Sequence, residues 1–486
     1  MRRTKHVGGL FVLALVMGAT VPTASAQSPA TAENGAANLD ARIAALVGRP
    51  NGLTADEVAR RAVATSAELR AREHAVEAAA SEVDQALVAW IPRLTATARY
   101  TRLSDIDQGA AGNVVVAPTA PVGLLAPGTP LASAPLAFPV ILNQYLIQGS
   151  LMVPVSDYLL RTSQRYAGAS RGKRAAELQT RAGRLETATN AKLAYYGWVR
   201  ARLQQLVAEQ SVEQGKAHLQ VAQAALEAKH IARVDLLRVE AQLAKAELLV
   251  ERADSMTELS EDRLRTLMHE PDATQYSVGE DLTEPVSTAS QASVSALHAE
   301  ALRRRPEIRA LDETAWSLKE QGKVARAGAM PRLDGFANAY YANPNQRFFP
   351  QEEKFHFTWD AGVQLSWTPN DLATATAVAH GIDAKRAEIE SQRAALGDAL
   401  RAEVHDAWQQ MKDARAAVRT GQRSLTAAEE EYRVRFELFQ AGDATGAELT
   451  DAETELLRAR LEQVNARVDV VVARVRLEHA TGRDSR

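Results

Sequence analysis

Between Leu449 and Ala480, apolar side chains recur at alternating steps of three and four residues. The positions are Leu449, Ala452, Leu456, Ala459, Gln463, Ala466, Val470, Ala473, Leu477 and Ala480. Only Gln463 is polar, so the run carries a sustained heptad seam of the kind that specifies a long coiled coil. The same register occurs 213 residues earlier, at Leu236, Val239, Leu243, Ala246, Val250, Ala253, Thr257, Ser260, Leu264 and Leu267. A third seam precedes the first, from Leu400, Val404 and Ala407 through Met411 and Ala414 to Ala428 and Tyr432. Alanine at alternate seam positions lets helix backbones approach closely. A duplicated helical hairpin is therefore the expected skeleton.

Between the helical runs the period changes from 3.6 to 2. Leu94, Ala96, Ala98 and Tyr100 alternate with Thr95, Thr97, Arg99 and Thr101, which predicts a strand with one apolar and one polar face. Ile141–Val153 reads as a second strand, with Gln144, Gln148 and Ser150 on one face, and Leu333–Ala339 as a third. The clearest is the fourth, where Phe355, Phe357, Trp359, Ala361, Val363, Leu365 and Trp367 alternate with polar residues or glycine. Shifting by 239 aligns Glu68-Leu69-Arg70-Ala71 with Glu307-Ile308-Arg309-Ala310, and Pro92-Arg93-Leu94 with Pro331-Arg332-Leu333. The two offsets differ by 26 residues, the extra length of the first strand-loop-strand segment. Two independent registers thus report one internal duplication.

The expected organisation is a signal peptide over 1–26, a partly irregular lead over 27–52, a first repeat over 53–270, a polar linker over 271–293 and a second repeat over 294–486. In the first repeat, strands over about 93–103 and 141–153 flank a long loop at 104–140, and helices follow over 171–268. The second has strands over about 332–341 and 355–367 and helices over 372–481. Continuous helices are expected from the Thr54/Glu57 capping-box pattern to about Trp90, and from Val294 to Ala329. A helix over 171–228 would be about 85 Å long, more than a compact domain needs.

Composition narrows the function. Arg2, Arg3 and Lys5 precede the apolar stretch Val7–Met17, and Ala24-Ser25-Ala26 offers a small-residue cleavage site with Ala24 and Ala26 at its key positions, so export is expected. There is no cysteine, which removes disulfides, thiolate metal sites and lipid attachment. No later run has 18 consecutive apolar residues, so any membrane insertion must use strands. A net charge of −3 speaks against a nucleic-acid partner. No His pair at ligand spacing, phosphate loop or nucleophile elbow is present. No metal, cofactor or enzymatic activity is expected. Trp198 and Trp408 read as packing anchors.

Strands of 11 to 13 residues suit a membrane barrel, which needs about 9 to 11 per span. Four strands cannot close one, because an open edge in lipid leaves backbone groups unpaired, and the smallest barrels have about eight. The membrane reading thus requires chains to pool strands. A soluble sheet with one buried face has the same alternation.

This arrangement resembles the TolC-type outer-membrane efflux channels over about Leu53–Gly482. The resemblance rests on Leu53-Thr54 with Glu68-Leu69, Arg305-Pro306-Glu307-Ile308, the twin Pro-Arg-Leu stops, and Ala441-Gly442 before Glu448-Leu449. It departs at Ser66-Ala67, where the family often has Asn-Pro, and at the tips, which lack the usual Val-Gly pair. The resemblance implies a mainly helical homotrimer sharing a 12-stranded barrel in the outer membrane, continued by a periplasmic coiled-coil tunnel. It implies passive export for a tripartite efflux or type I secretion system, with a periplasmic adaptor and an inner-membrane RND or ABC pump as partners. An exported coiled-coil adaptor or scaffold is the alternative. Carried over residue by residue, the periplasmic aperture falls on Asp235, Phe439, Glu448 and Asp451, with a basic partner of some members replaced by Ala444. The adaptor-docking tips fall on Ala228, Lys229, His230 and Ile231, and on Ala441, Gly442, Asp443 and Ala444. Thr445 and Glu448 also form a capping-box pattern, so capping and aperture roles are both open to Glu448.

Overall fold

The computed structural model describes residues 39, 41–105, 112–118, 123–135, 141–271, 274–281 and 293–485. The proposed signal peptide, with Ala24 and Ala26, and parts of the lead and linker lie outside them. The chain forms α1 (Ala55–Thr65), α2 (Ala67–Val88), β1 (Arg93–Arg102), β2 (Asn113–Val116), β3 (Ala132–Pro135), β4 (Asn143–Val153) and α3 (Ser163–Glu227). It continues through α4 (Arg233–Met268), α5 (Val294–Arg304), α6 (Pro306–Ala327), β5 (Arg332–Asn343), β6 (His356–Ser366), α7 (Asp371–Ala441) and α8 (Gly446–Thr481). No described helix is long and apolar enough to cross a membrane.

The expected long first helix of each repeat is instead two helices. Ser66 (ψ 119°) leaves the helical region and its hydroxyl accepts from the Leu69 amide, so it ends α1 and caps α2. Arg305 (ψ 121°), 239 residues on, makes the same break before Pro306, whose ring excludes a helical conformation in the residue before it. At α1 only half of the anticipated capping box forms. Thr54 accepts from the Glu57 amide, but Glu57 turns to Arg60 and Arg61. The loop expected over 104–140 contains the antiparallel hairpin β2–β3, and α3 begins before Arg171.

Helices α3 and α7, with 65 and 71 residues, run about 98 and 107 Å. Each is partnered in two pieces. Their far halves pack against α4 and α8, and their near halves against α2, α5 and α6. Nine of the ten seam positions of α8 are buried, with Leu477 half-buried, because α8 packs on α7, α3 and α4 together. Its twin on α4 is less covered: Val239, Ala246, Thr257 and Leu264 are buried and the other six half-buried. The polar seam residue Gln463 donates to Gln422 at 2.8 Å beside Gly421, where any Cβ would meet its carbonyl oxygen.

The largest core gathers Trp198, Tyr195, Val199, Val207, Leu264 and Val468. Residues 39 and 41–46 of the lead join it through Leu39 and Ile43, the 41–46 segment as a short helix rather than irregular chain. Linker residue Val278 pairs with Leu53, and the Tyr195 hydroxyl donates to the Leu53 carbonyl at 2.7 Å. Gly52 and Gly279 permit that crossing, since a Cβ on Gly52 would lie 2.5 Å from the Gly279 nitrogen. Trp408 is half-buried against a smaller core near Val404 and Ala480.

The four long strands form one antiparallel sheet in the order β1-β4-β5-β6. Registers such as Leu94↔Leu151, Leu151↔Ala337 and Ala337↔Ala361 put all apolar alternations on one face. Leu94, Ile147, Phe357, Trp359, Val363 and Leu365 there are exposed. The other face carries Thr97, Arg99, Gln148, Asn338, Thr358 and Asp360. The outer edges of β1 and β6 have no strand partner among the described residues.

Candidate aperture and docking tips

The far ends of the two hairpins come together. After α3, Lys229 adopts a left-handed conformation (φ 60°) that lets its amide and that of His230 bond back to Leu226 and Ala225. After α7, Gly442 does the same at φ 84°, with the Asp443 amide donating to Leu438 at 2.8 Å. The next helices also begin alike. The Ala232 amide donates to the Asp235 carboxylate at 3.3 Å, and the Thr445 amide to Glu448 at 2.9 Å. Each pair is separated by the 213-residue offset of the seams.

Only the second tip forms the full capping box, because Thr445 offers a hydroxyl to the Glu448 amide and Ala232 cannot. Glu448 also accepts from Arg435 at 3.1 Å. Bonds from the Thr445 amide and hydroxyl, with the Arg435 charge, hold its carboxyl below the usual glutamate range. A cation thus reaches Glu448 from α7, although position 444 is alanine. Asp451, one turn on, is exposed.

Phe439 stands apart from these carboxylates. It is 3% exposed, packed with Tyr432, Phe436, Leu449 and Ala452 inside the second hairpin. Ile231 and Ala444 are half-buried against the same cluster, which ties the tips together. Gly446 lies so close to Asp235 that a Cβ would fall 3.0 Å from its side chain. Ala228, Lys229, His230, Ala441, Gly442 and Asp443 are exposed. The structure therefore unites the two tips, buries Phe439 behind them and leaves Asp451 at their surface.

Behind this end lies a polar contact that sequence reasoning missed. His218 of α3 is 4% exposed and packs against the rings of Tyr432 and Phe436. Its Nε2 accepts from the Tyr432 hydroxyl at 2.5 Å, and its Nδ1 faces the Glu453 carboxylate. Burial pushes its pKa down to about 4. The one sequence signal was Tyr432, a polar-tipped residue ending an apolar seam. Among the described residues no group of side chains could hold a metal ion.

A family model described as outer membrane efflux protein matches residues 297–483, from within α5 to just past α8. Over those residues the second repeat is similar to the outer membrane efflux protein family. The chain's fold is similar to that of the outer-membrane channel OprN, with a TM-score of 0.70 at 19% identity over 88% of this chain and 89% of that one. It is similar also to the Campylobacter jejuni CmeC outer membrane channel (TM-score 0.68, 16% identity, 98% and 94% covered). For the open state of the Neisseria gonorrhoeae MtrE outer membrane channel the TM-score is 0.69 at 15% identity, with 88% of each chain covered. No curated protein matches the sequence. The solved structures the chain resembles are described as outer-membrane channels.

Proposed function

We propose that three copies of this chain form the outer-membrane duct of a tripartite efflux or type I secretion assembly. The duct conducts substrates passively from an inner-membrane RND or ABC pump and its periplasmic adaptor to the exterior. The observation that carries this reading is the sheet, whose apolar face is exposed and whose two edges are open. Hydrocarbon satisfies the exposed face, and a neighbouring copy satisfies each edge, β6 of one chain pairing with β1 of the next. Three copies supply twelve strands. A second surface supports the same assembly: Val234, Leu237, Leu248, Met256 and Leu259 leave an exposed apolar stripe along α4.

In this assembly the polar face of the sheet lines the lumen and the hairpins form a periplasmic tunnel. The exposed tip residues meet the adaptor, with Ile231 and Ala444 bracing them from behind. Glu448 and Asp451, with Asp235 nearby, ring the inner mouth with symmetry-related carboxylates that attract cations. Phe439 stiffens the hairpin behind that ring. An adaptor reading is weaker, since two complete helix-strand-strand-hairpin halves and a sheet bare on one face serve no adaptor purpose. The deciding experiment is native mass in detergent after inner and outer membranes are separated. Outer-membrane particles of three chains are expected, and a periplasmic monomer would overturn the duct. For the ring, Glu448→Ala with Asp451→Ala should weaken blockade by multivalent cations in planar bilayers; unchanged blockade would remove the carboxylates from the aperture.

A further inference from the structure

The loop between β5 and β6 folds down over the polar face of its own sheet. Asn345, only 3% exposed, donates to the His356 carbonyl at 3.0 Å and to the Thr358 hydroxyl at 3.1 Å. Its side-chain oxygen accepts from the Arg347 amide at 3.0 Å. The Arg347 guanidinium reaches the Trp359 carbonyl at 2.7 Å and the Asp360 carboxylate at 2.8 Å, and lies 5.9 Å from the centre of the Tyr340 ring. Asn338 holds the other Asp360 oxygen at 2.8 Å, so both carboxylate oxygens are engaged. The Phe348 ring stacks on His356 at 4.1 Å. His356, Thr358, Asp360, Asn338 and Tyr340 all belong to the polar face. A cavity of about 370 Å³ lies against the loop, walled across the sheet by Arg99, Thr101, Gln144 and Ala342.

We propose that this loop is a throat at the outer end of the duct, latched inward by Arg347, so that Arg347 and Asp360 set the width through which substrates leave. The inference rests on the barrel reading above, which makes the polar face the lumen. A loop held only by its ends would sample the solvent above the barrel. This one is fixed by a charge pair, a buried amide and a ring stack, all directed to the lumenal side. Three copies would narrow the exit symmetrically, with the polar pocket behind each loop as the space uncovered when it swings away. Asp360 is the lumenal anchor, and Arg347 is the moving partner because it belongs to the loop.

The absence of native cysteine allows a clean test. Ala342→Cys places one thiol on the polar face beside the cavity. Intact cells making the full-length chain are treated with a membrane-impermeant maleimide, and the labelling rate is read on the outer-membrane trimer. Slow labelling is expected with the native loop. Arg347→Ala should accelerate it about fivefold, the equilibrium factor of about 1 kcal/mol for one well-formed ion pair. Exchanging the charges, with Arg347→Asp and Asp360→Arg together, should return it towards the slow rate. Outer-membrane trimers whose labelling ignores both changes would overturn the latch while leaving the duct intact. A chain recovered as a periplasmic monomer would overturn the duct, and the throat with it.

Discussion

Lys229 and Gly442 hold equivalent places in the two hairpins, yet only one is a glycine. A side chain in the left-handed region costs about 1 kcal/mol, so Lys229→Gly should stabilise the first tip by that amount. Slower amide hydrogen exchange over 224–236 would confirm it, and unchanged or faster exchange would contradict it. His218 makes a second residue-scale prediction. Its imidazole lies near 4 when folded and near 6.5 when unfolded, so the unfolded chain binds the extra proton between those values. Stability should be complete above pH 6.5 and fall as pH drops towards 4, with His218→Asn flattening that slope in denaturant titrations. If the slope survives the substitution, another group causes it. Glu448 behaves oppositely in charge: its depressed pKa keeps the carboxylate ionised in mild acid, and its contribution fades only as pH falls through that lowered value. The 213-residue offset already paired Asp235 with Glu448 in the sequence, and Thr445 marked Glu448 as a capping residue, whereas Asp451 was named on the resemblance alone. The His218 contact was not legible there, because it joins residues 214 apart on helices whose relative rotation no local pattern fixes.

At the scale of elements, the seams were readable because burial on a helix repeats every seven residues. The seam of α8 is buried almost as its spacing implies. The breaks at Ser66 and Arg305 were harder to see, although Pro306 marks one directly. Apolar periodicity continues through both, and only a backbone angle interrupts it. The hairpin β2–β3 was hidden for a related reason: four-residue strands among proline, glycine and alanine carry no usable alternation. Trp198 shows what holds the middle of the molecule. It is fully buried against Tyr195 and Tyr276, on the helix that receives the Leu53–Val278 crossing. Trp198→Ala should cost about 3–5 kcal/mol, read as a lowered denaturant midpoint. A cost below about 1 kcal/mol, the level of a tolerated swap, would mean the site collapses around the gap.

For the whole molecule, the expectation of an oligomer follows from the strand count alone, because two unpaired edges in lipid would demand partners. The inward fold of the β5–β6 loop was not deducible, since Arg347 and Asp360 gain meaning only once the strand faces are fixed. The apolar face supports a further prediction. Val363, 77% exposed near the middle of β6, should not accept a charge in the proposed barrel, and Val363→Arg should cost about 2–4 kcal/mol at the bilayer midplane. The expected result is loss of heat-modifiable trimer from the outer membrane; unimpaired assembly would mean that this face does not meet lipid. The 26-residue difference between the repeats has one more consequence. It gives every chain one long connection, carrying its own small hairpin, and one short connection folded over the polar face of the sheet. In the assembled duct these would alternate as three display arms and three inner sills. In that assembly the arms would accommodate insertions that an antibody or phage could find, whereas the sills would tolerate little change without altering what passes.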